Sequence, residues 1–299
     1  MATITIRDVT PRDGLQGERA VAHTSRASLA HALADAGVGA VEFGAFVSPT
    51  AVPAMAGARE VFDEVRSRND VAWWALVPNA RGAQLAVDAG VERLTITISS
   101  SDGYSRKNVG RSTEDSIVGL SEIAAAAGDA ALDVVVSCAF GSPFDDVADA
   151  GPTRRIVDAT LDVVEGASIT LADTTGTATP RRIAEVLDSL ADVPRSRIGL
   201  HLHDTRGTAL ANALAAIDQG ITRFDTAVGG LGGSPFAPGA GGNLATEDLV
   251  LVLEDLGHTT GIDLDGLIGL RDELTDLVGH PLPGRTLAAG RLPAFGTLP

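Results

Sequence analysis

Cysteine and lysine are nearly absent from this sequence, which contains one residue of each. The single cysteine, Cys138, excludes an internal disulfide and a zinc site built from several thiolates. The only lysine, Lys107, is the one side chain that could form a Schiff base with a substrate. The sequence also lacks the Gly-Lys-Ser/Thr run of a Walker-type phosphate loop.

Positive charge and long apolar runs are scarce as well. Lysine and arginine number 23 against 39 acidic residues, and the formal net charge of −16 disfavours nucleic acid or an anionic membrane as a partner. No apolar run approaches the roughly 20 residues of a membrane span, and the first residues do not resemble a signal segment. We therefore expect a soluble cytoplasmic protein that binds neither nucleic acid nor membranes.

The sequence instead alternates between runs rich in valine and isoleucine, which favour strands, and alanine-rich segments with helical periodicity. Eight strands are predicted, at Ile4–Val9, Ala40–Phe46, Val71–Val77, Arg93–Ser99, Leu132–Ala139, Ser168–Ala172, Ile198–His203 and Arg223–Val228. The predicted helices are 25–36, 53–67, 79–89, 113–127, 153–165, 180–190, 207–219 and 244–256. This pattern predicts an α/β protein with a (β/α)8 barrel, and the count of eight disfavours a doubly wound open sheet.

We expect residues 1–299 to form a single catalytic domain of the TIM-barrel type. The barrel would occupy about residues 1–257, and a short helical C-terminal extension about residues 258–299. Helical periodicity is present over 262–277, whereas Pro281–Pro299 is rich in proline and glycine. This last segment is expected to wrap the barrel or to be loosely ordered.

Polar residues follow several of the predicted strands, where a (β/α)8 barrel carries its active site. His201 and His203 are two residues apart at the end of a strand, so their side chains share one face. They form either half of a metal site or a hydrogen-bonded pair in the barrel interior. Asp13 and Asn243 would add oxygen ligands, and such a mixed set suits Mg²⁺ or Mn²⁺, and Zn²⁺ less well. A non-haem iron oxygenase, which also uses two histidines and one carboxylate, stays open.

Further candidates for chemistry lie at the same strand ends. Arg12 is placed to stabilise an enolate or carboxylate oxygen, or to form a structural salt bridge across the barrel mouth. Glu42 and Asp173 are candidate orienting or proton-transfer carboxylates, although each alone is more typical of structure than of catalysis. Segment 229–243 has seven glycines, which favours a lid that closes on substrate over a passive loop. Ser234 near its centre could donate or relay a proton.

Six stretches, in this order, resemble the 3-hydroxy-3-methylglutaryl-CoA lyases, a family of metal-dependent lyase barrels. They are Pro11–Gln16, Phe46–Pro49, Val136–Ala139, His201–Thr205, Ala209–Asn212 and Gly239–Val250, and the resemblance extends from about residue 4 to 270. Related synthases that condense acetyl-CoA with 2-oxo acids usually have Glu where this chain has Leu15, and Asn-Asp where it has Asp204 and Thr205. The motifs are therefore similar to those of the lyases.

The resemblance implies a retro-Claisen cleavage of 3-hydroxy-3-methylglutaryl-CoA to acetoacetate and acetyl-CoA. Metal ligands for Mg²⁺ or Mn²⁺ would be Asp13, His201, His203 and Asn243. Arg12 would stabilise the enolate of the departing acetyl-CoA, and Glu42, Asp173 and His201 would assist positioning and proton transfer. The CoA contacts are assigned to Gln16, Arg19, Lys107 and Asn108. The partner is then an acyl-CoA thioester, and a homo-oligomer, a dimer or tetramer, is expected.

Two departures from the family pattern leave the substrate open. The family carries a cysteine in the glycine-rich loop, where this chain has Ser234, a far weaker acid. The stretch Glu42–Ala45 also lacks the hydroxyl residues that are common there. We therefore retain two alternatives: a lyase for a related 3-hydroxyacyl-CoA such as citramalyl-CoA, and a CoA-ester-binding barrel with little activity.

Overall fold

A closed barrel of eight parallel strands forms the centre of the molecule, and β8 pairs back with β1. The computed structural model describes residues 2–145, 149–233 and 241–291. Its strands are β1 Thr5–Asp8, β2 Ala40–Ala45, β3 Ala72–Leu76, β4 Arg93–Ser99, β5 Ala131–Ser137, β6 Ser168–Asp173, β7 Ile198–Leu202 and β8 Arg223–Thr226. Because the strands pair in chain order around a closed ring, the predicted (β/α)8 barrel is confirmed.

Helices connect the strands and cover the outside of the barrel. They are α1 His23–Asp35, α2 Ala58–Val65, α3 Ala80–Asp88, α4 Asp102–Val109, α5 Thr113–Val118, α6 Leu120–Ala127, α7 Gly151–Val163, α8 Pro180–Ser189, α9 Ala209–Ile217, α10 Thr246–Asp255, α11 Leu264–Gly269, α12 Arg271–Val278 and α13 Arg285–Ala289. The last three form the predicted C-terminal helical extension, in which α11 and α13 pack against α10. Among the described residues, no helix is long and apolar enough to cross a lipid bilayer.

Several element boundaries differ from the sequence-based expectation. The helix predicted over 113–127 is two helices, α5 and α6, which meet at Gly119, and the periodic segment 262–277 divides at Leu270. Helix α4 was not predicted because it has no apolar stripe; the side chain of Ser101 caps its first turn, and Gly110 ends it in a left-handed conformation. Within the tail expected to wrap the barrel or to be loosely ordered, α13 packs against α10, and Asp248 accepts hydrogen bonds from the amides of Arg285 and Thr286.

The middle of the barrel interior is charged, whereas such barrels are usually filled by apolar branched side chains. Arg7 on β1 is buried between two carboxylates, with Nη2 2.7 Å from Asp133 Oδ2 and 2.8 Å from Asp225 Oδ2. Asp133 also accepts hydrogen bonds from Thr170 at 2.8 Å and from Arg223 at 3.2 Å. We call Arg7, Asp133, Thr170, Arg223 and Asp225 the interior charge layer. The pairing matters because an isolated charge in this position would cost several kcal/mol.

The apolar shell between strands and helices supplies the burial that stabilises the barrel. Leu94 on β4 is completely buried, whereas Leu85 on α3 is 49% exposed. We expect Leu94→Ala to lower the free energy of unfolding by about 2–5 kcal/mol. The matched change Leu85→Ala should shift it by no more than about 0.5 kcal/mol. Chemical denaturation of both variants measures this, and equal losses would contradict the assignment of the shell as the stabilising core.

Candidate metal centre and active site

A five-residue π-helical turn, Thr10–Gly14, carries Arg12 and Asp13 to the barrel mouth directly after β1. The turn is fixed from below by Asp8, whose Oδ1 accepts a hydrogen bond from the Thr10 amide at 2.8 Å. The other oxygen of Asp8 accepts one from Thr246 Oγ1 at 2.6 Å. Turns of this kind frequently occur at functional sites. Here the turn brings a residue near the start of the chain to the end of β7.

His201 and His203 meet Asp13 at this end of the barrel. His201 lies in β7, and His203 lies just beyond the last residue of β7 in an antiparallel bridge with Asn243. The two Nε2 atoms are 3.1 Å apart, and each is 3.9 Å from Asp13 Oδ2. One ligand atom from each residue lies within 4.8 Å of the others, a spacing that could hold a metal ion. Both the histidine pair and its oxygen partner were predicted.

Asn243 completes the predicted ligand set. Its Nδ2 donates to Asp13 Oδ2 at 2.8 Å and to the carbonyl of Leu231 at 2.9 Å. Its Oδ1 is buried and has no hydrogen-bond partner among the described residues. A buried acceptor without a donor is uncommon, and a cation would satisfy it. Gly232 allows this approach, because a Cβ there would lie 2.5 Å from Asn243 Nδ2.

The charge states of these groups favour cation binding. Burial alone would raise the pKa of Asp13, but Arg12 and the two histidines lower it to about 2, so the carboxylate is ionised at neutral pH. Burial, together with the neighbouring His201, lowers the pKa of His203 to about 4, so its ring is neutral. Metal ligands must be deprotonated, and both residues meet this condition without a metal. The residues present therefore fit a divalent ion held by nitrogen and oxygen atoms.

Arg12 lies between two carboxylates at the edge of this cluster. Its Nη1 donates to Asp13 Oδ1, and its Nε donates to Glu42 Oε2. Glu42 is itself held by a hydrogen bond from Thr95 Oγ1 and is 1% exposed. Although burial opposes the charge, Glu42 and Asp13 raise the pKa of Arg12, which stays a cation. In this structure Glu42 therefore orients Arg12, and a direct role in proton transfer stays a prediction.

Asp173 ends β6, the neighbour of β7. Its Oδ1 accepts hydrogen bonds from the amides of Thr177 at 2.7 Å and Ala178 at 3.0 Å. Its Oδ2 is buried and has no hydrogen-bond partner among the described residues. Burial raises the pKa of Asp173 to about 6, despite the opposing amide hydrogen bonds. A carboxylate with a free oxygen and a pKa near neutrality is suited to accept a proton from a substrate.

Two contacts of the site were missed in the sequence. Asp225 on β8 lies 3.3 Å from His201 Nδ1 through its Oδ2, and Glu247 on α10 accepts the amide hydrogen of Gly229 with both carboxyl oxygens. Asp225 could have been found from the sequence. It is two residues after Arg223 on the predicted strand that follows the histidine strand, so both polar side chains face the same side of that strand. Glu247 lies in the lyase-like stretch Gly239–Val250, but no role was assigned to it there.

The residues assigned to CoA binding do not belong to the cluster around Asp13. Arg19 is exposed and donates to the carbonyls of Asp276 and Leu277 at the end of α12. Lys107 and Asn108 are exposed on α4, where Lys107 Nζ lies 4.9 Å from the centre of the Phe144 ring. Gln16 is half-buried after the π-helical turn. Their CoA contacts stay predictions, and Ser234 lies outside the described residues.

Fold and site together define a class: an enzyme barrel with a candidate centre for a divalent metal at the carboxyl ends of its strands. Comparison with known proteins narrows this class. Residues 3–273 match the family model described as HMGL-like. An (R)-citramalyl-CoA lyase of Chloroflexus aurantiacus is 42% identical, with 97% of this chain and 96% of the relative covered. The hydroxymethylglutaryl-CoA lyase YngG of Bacillus subtilis is 37% identical, with 95% and 96% covered.

A solved structure agrees with the sequence comparison. An HMG-CoA lyase from Acinetobacter baumannii, in complex with coenzyme A and 3-methylmalate, superposes with a TM-score of 0.93 at 38% identity. The match covers 99% of this chain and 98% of that structure. The chain belongs to the HMGL-like family, among the hydroxymethylglutaryl-CoA lyases, and is a carbon–carbon lyase. This family assignment favours a lyase over the non-haem iron oxygenase that the ligand types alone left open.

The buried carboxyl of Glu247, which accepts the Gly229 amide hydrogen, provides a test of how burial changes a pKa near the site. Burial raises its pKa from 4.5 to about 8, so the folded protein holds this proton more tightly than the unfolded chain does. The carboxyl's contribution to stability is therefore complete below about pH 4.5 and is lost as the pH rises to about 8. We expect the melting temperature of Glu247→Gln, relative to that of the natural protein, to increase over this range.

The exposed Glu254, also on α10, supplies the control. Glu254→Gln removes one negative charge from the same helix without changing a buried group, and thermal melts should be recorded at the same pH values. A difference between Glu247→Gln and the natural protein that is constant with pH would contradict the raised pKa.

Proposed function

We propose that this protein cleaves 3-hydroxy-3-methylglutaryl-CoA to acetoacetate and acetyl-CoA, with Mg²⁺ or Mn²⁺ as the cofactor. The observation that carries the proposal is the meeting of Asp13, His201 and His203 beside the cationic Arg12. A divalent ion and a second positive charge both stabilise the negative charge that develops on an oxygen-rich substrate. The family to which the chain belongs supports the same substrate class.

The residues around the cluster can be assigned to different steps of a retro-Claisen cleavage. Asp13, His201, His203 and Asn243 would hold the ion, which when bound supplies positive charge to acidify a tertiary hydroxyl and to stabilise an oxyanion. The hydroxyl proton passes to a base, for which Asp173 and His201 are the candidates. The hydroxyl oxygen becomes a ketone as the carbon–carbon bond breaks, and the electron pair of that bond moves to the thioester enolate.

Arg12 is suited to the last part of the reaction. Its guanidinium is already held by Glu42 and Asp13, so its charge needs no rearrangement when an enolate forms beside it. The enolate then takes up a proton to give acetyl-CoA. In the family this step involves a cysteine of the glycine-rich loop; here Ser234 is assigned to it, as a relay that positions a water. We infer slower turnover than with a thiol, because a serine hydroxyl is a weaker acid.

Citramalyl-CoA is the second candidate substrate. The relative at 42% identity is named for this substrate, whereas the hydroxymethylglutaryl-CoA lyase YngG is at 37%. The stretch Glu42–Ala45 lacks the hydroxyl residues that hydroxymethylglutaryl-CoA lyases commonly have there, a difference that fits an altered acyl group. Homo-oligomerisation and a cytoplasmic location stay predictions.

A thioester panel tests the substrate. Release of acetyl-CoA from 3-hydroxy-3-methylglutaryl-CoA should have the highest kcat/KM when the protein is assayed with Mg²⁺ or Mn²⁺. Preferential cleavage of citramalyl-CoA would favour the second candidate, and no cleavage of any 3-hydroxyacyl-CoA would indicate a barrel that only binds CoA esters.

Removal of the metal or of one ligand tests the centre. Chelation should abolish cleavage, and added Mg²⁺ or Mn²⁺ should restore it, because the buried ligand set is incomplete without the ion. His201→Ala should lower kcat by about 10²–10⁴-fold, since it removes a candidate metal ligand and a candidate base. Full activity of the chelated protein, or of His201→Ala, would remove the metal or His201 from the mechanism.

A further inference from the structure

We propose that Asp225, held in place by Arg7, is the positioning residue that keeps the His201 ring in the tautomer with its proton on Nδ1. The inference rests on the proposed metal centre, because it concerns which ring nitrogen of His201 is free to bind an ion. The contact between Asp225 and His201 connects the site at the barrel mouth with the interior charge layer.

The geometry places one carboxylate oxygen of Asp225 against the ring. Asp225 Oδ2 is 3.3 Å from His201 Nδ1, and His201 Nε2 faces His203 Nε2 on the other side of the ring at 3.1 Å. His201 and Asp225 are cross-strand partners in the pairing of β7 with β8. Both residues are buried, at 6% and 4% exposure, so the contact is largely shielded from solvent. The strand register thus determines which carboxylate meets the histidine.

Arg7 holds Asp225 in the orientation that this contact needs. Its Nε and Nη2 donate to the two oxygens of Asp225, each at 2.8 Å, in a bidentate pair. Two charge-assisted hydrogen bonds to a guanidinium favour the ionised form of the Asp225 carboxylate. The guanidinium also lies 5.0 Å from the centre of the Trp74 ring, which limits its movement.

The consequence for His201 follows from donor and acceptor chemistry. An ionised carboxylate accepts hydrogen bonds only, so His201 Nδ1 must carry the proton that it shares with Asp225. The Nε2 atom then has a free lone pair directed toward Asp13 and His203. A histidine free in solution prefers the opposite tautomer, with its proton on Nε2, and that nitrogen then has no lone pair for an ion in this cluster. Carboxylates that fix metal-binding histidines in this way typically contribute about 10–100-fold in metal affinity.

Asp133 supplies a matched control, because it also pairs with Arg7 but does not contact His201. Arg7 Nη2 lies 2.7 Å from Asp133 Oδ2, so Asp133→Asn removes a buried charge from the same arginine. The experiment compares the natural protein with Asp225→Asn and Asp133→Asn. Nitrogen-15 NMR of histidine-labelled, metal-free protein at alkaline pH reports the tautomer, and His201→Gln identifies its signals. Calorimetric titration with Mn²⁺ reports the affinity, and thermal melts report folding.

We expect His201 to carry its proton on Nδ1 in the natural protein and in Asp133→Asn, and to shift toward Nε2 in Asp225→Asn. The Mn²⁺ dissociation constant should rise by about 10–100-fold in Asp225→Asn and not in Asp133→Asn. A proton on Nε2 in the natural protein overturns the inference whether or not the variants fold. Equal changes in both variants overturn it too, because they would indicate general loss of structure. Absence of Mn²⁺ binding by the natural protein would instead contradict the proposed metal centre. The NMR spectra of the metal-free protein would still show whether Asp225 determines the tautomer of His201.

Discussion

The close approach of two imidazole nitrogens and one carboxylate oxygen is the constraint on which the site depends. His201 Nε2 and His203 Nε2 are 3.1 Å apart, and Asp13 joins them from the other end of the chain. Such a cluster of buried polar atoms is costly to desolvate unless a proton or a cation is shared among them. The barrel makes the cluster possible, because its closure brings the ends of β1 and β7 to the same rim. Assembly of the candidate site therefore depends on closure of the barrel.

The site also depends on balanced buried charges, both in the barrel interior and at the barrel mouth. The interior holds Arg7 between Asp133 and Asp225, and the mouth holds Arg12 between Asp13 and Glu42. In each case one guanidinium compensates two carboxylates, and a planar donor group suits that arrangement better than an ammonium. Because these layers are polar, the barrel's stability depends mainly on the apolar shell under its helices.

Most of the fold was predictable because the alternation of apolar strands and amphipathic helices is a local signal. The candidate metal ligands were suggested by residue types at strand ends and by the lyase-like motifs. The features that could not be predicted from the sequence depend on strand register or on helix capping. Asp225 reaches His201 only because β7 and β8 pair at that position, and α4 forms through its caps without an apolar face. The π-helical turn that carries Asp13 has no periodicity to detect, yet it brings this candidate ligand from the N-terminal part of the chain to the site.

We propose that one divalent ion binds at the point where Asp13, His201 and His203 meet. Anomalous diffraction from crystals soaked in Mn²⁺ would locate such an ion. We expect a single strong peak within about 2.0–2.4 Å of the nearest atoms of these three side chains, the distance range of oxygen and nitrogen ligands. A peak elsewhere in the molecule, or no peak with these three side chains well ordered, would contradict it.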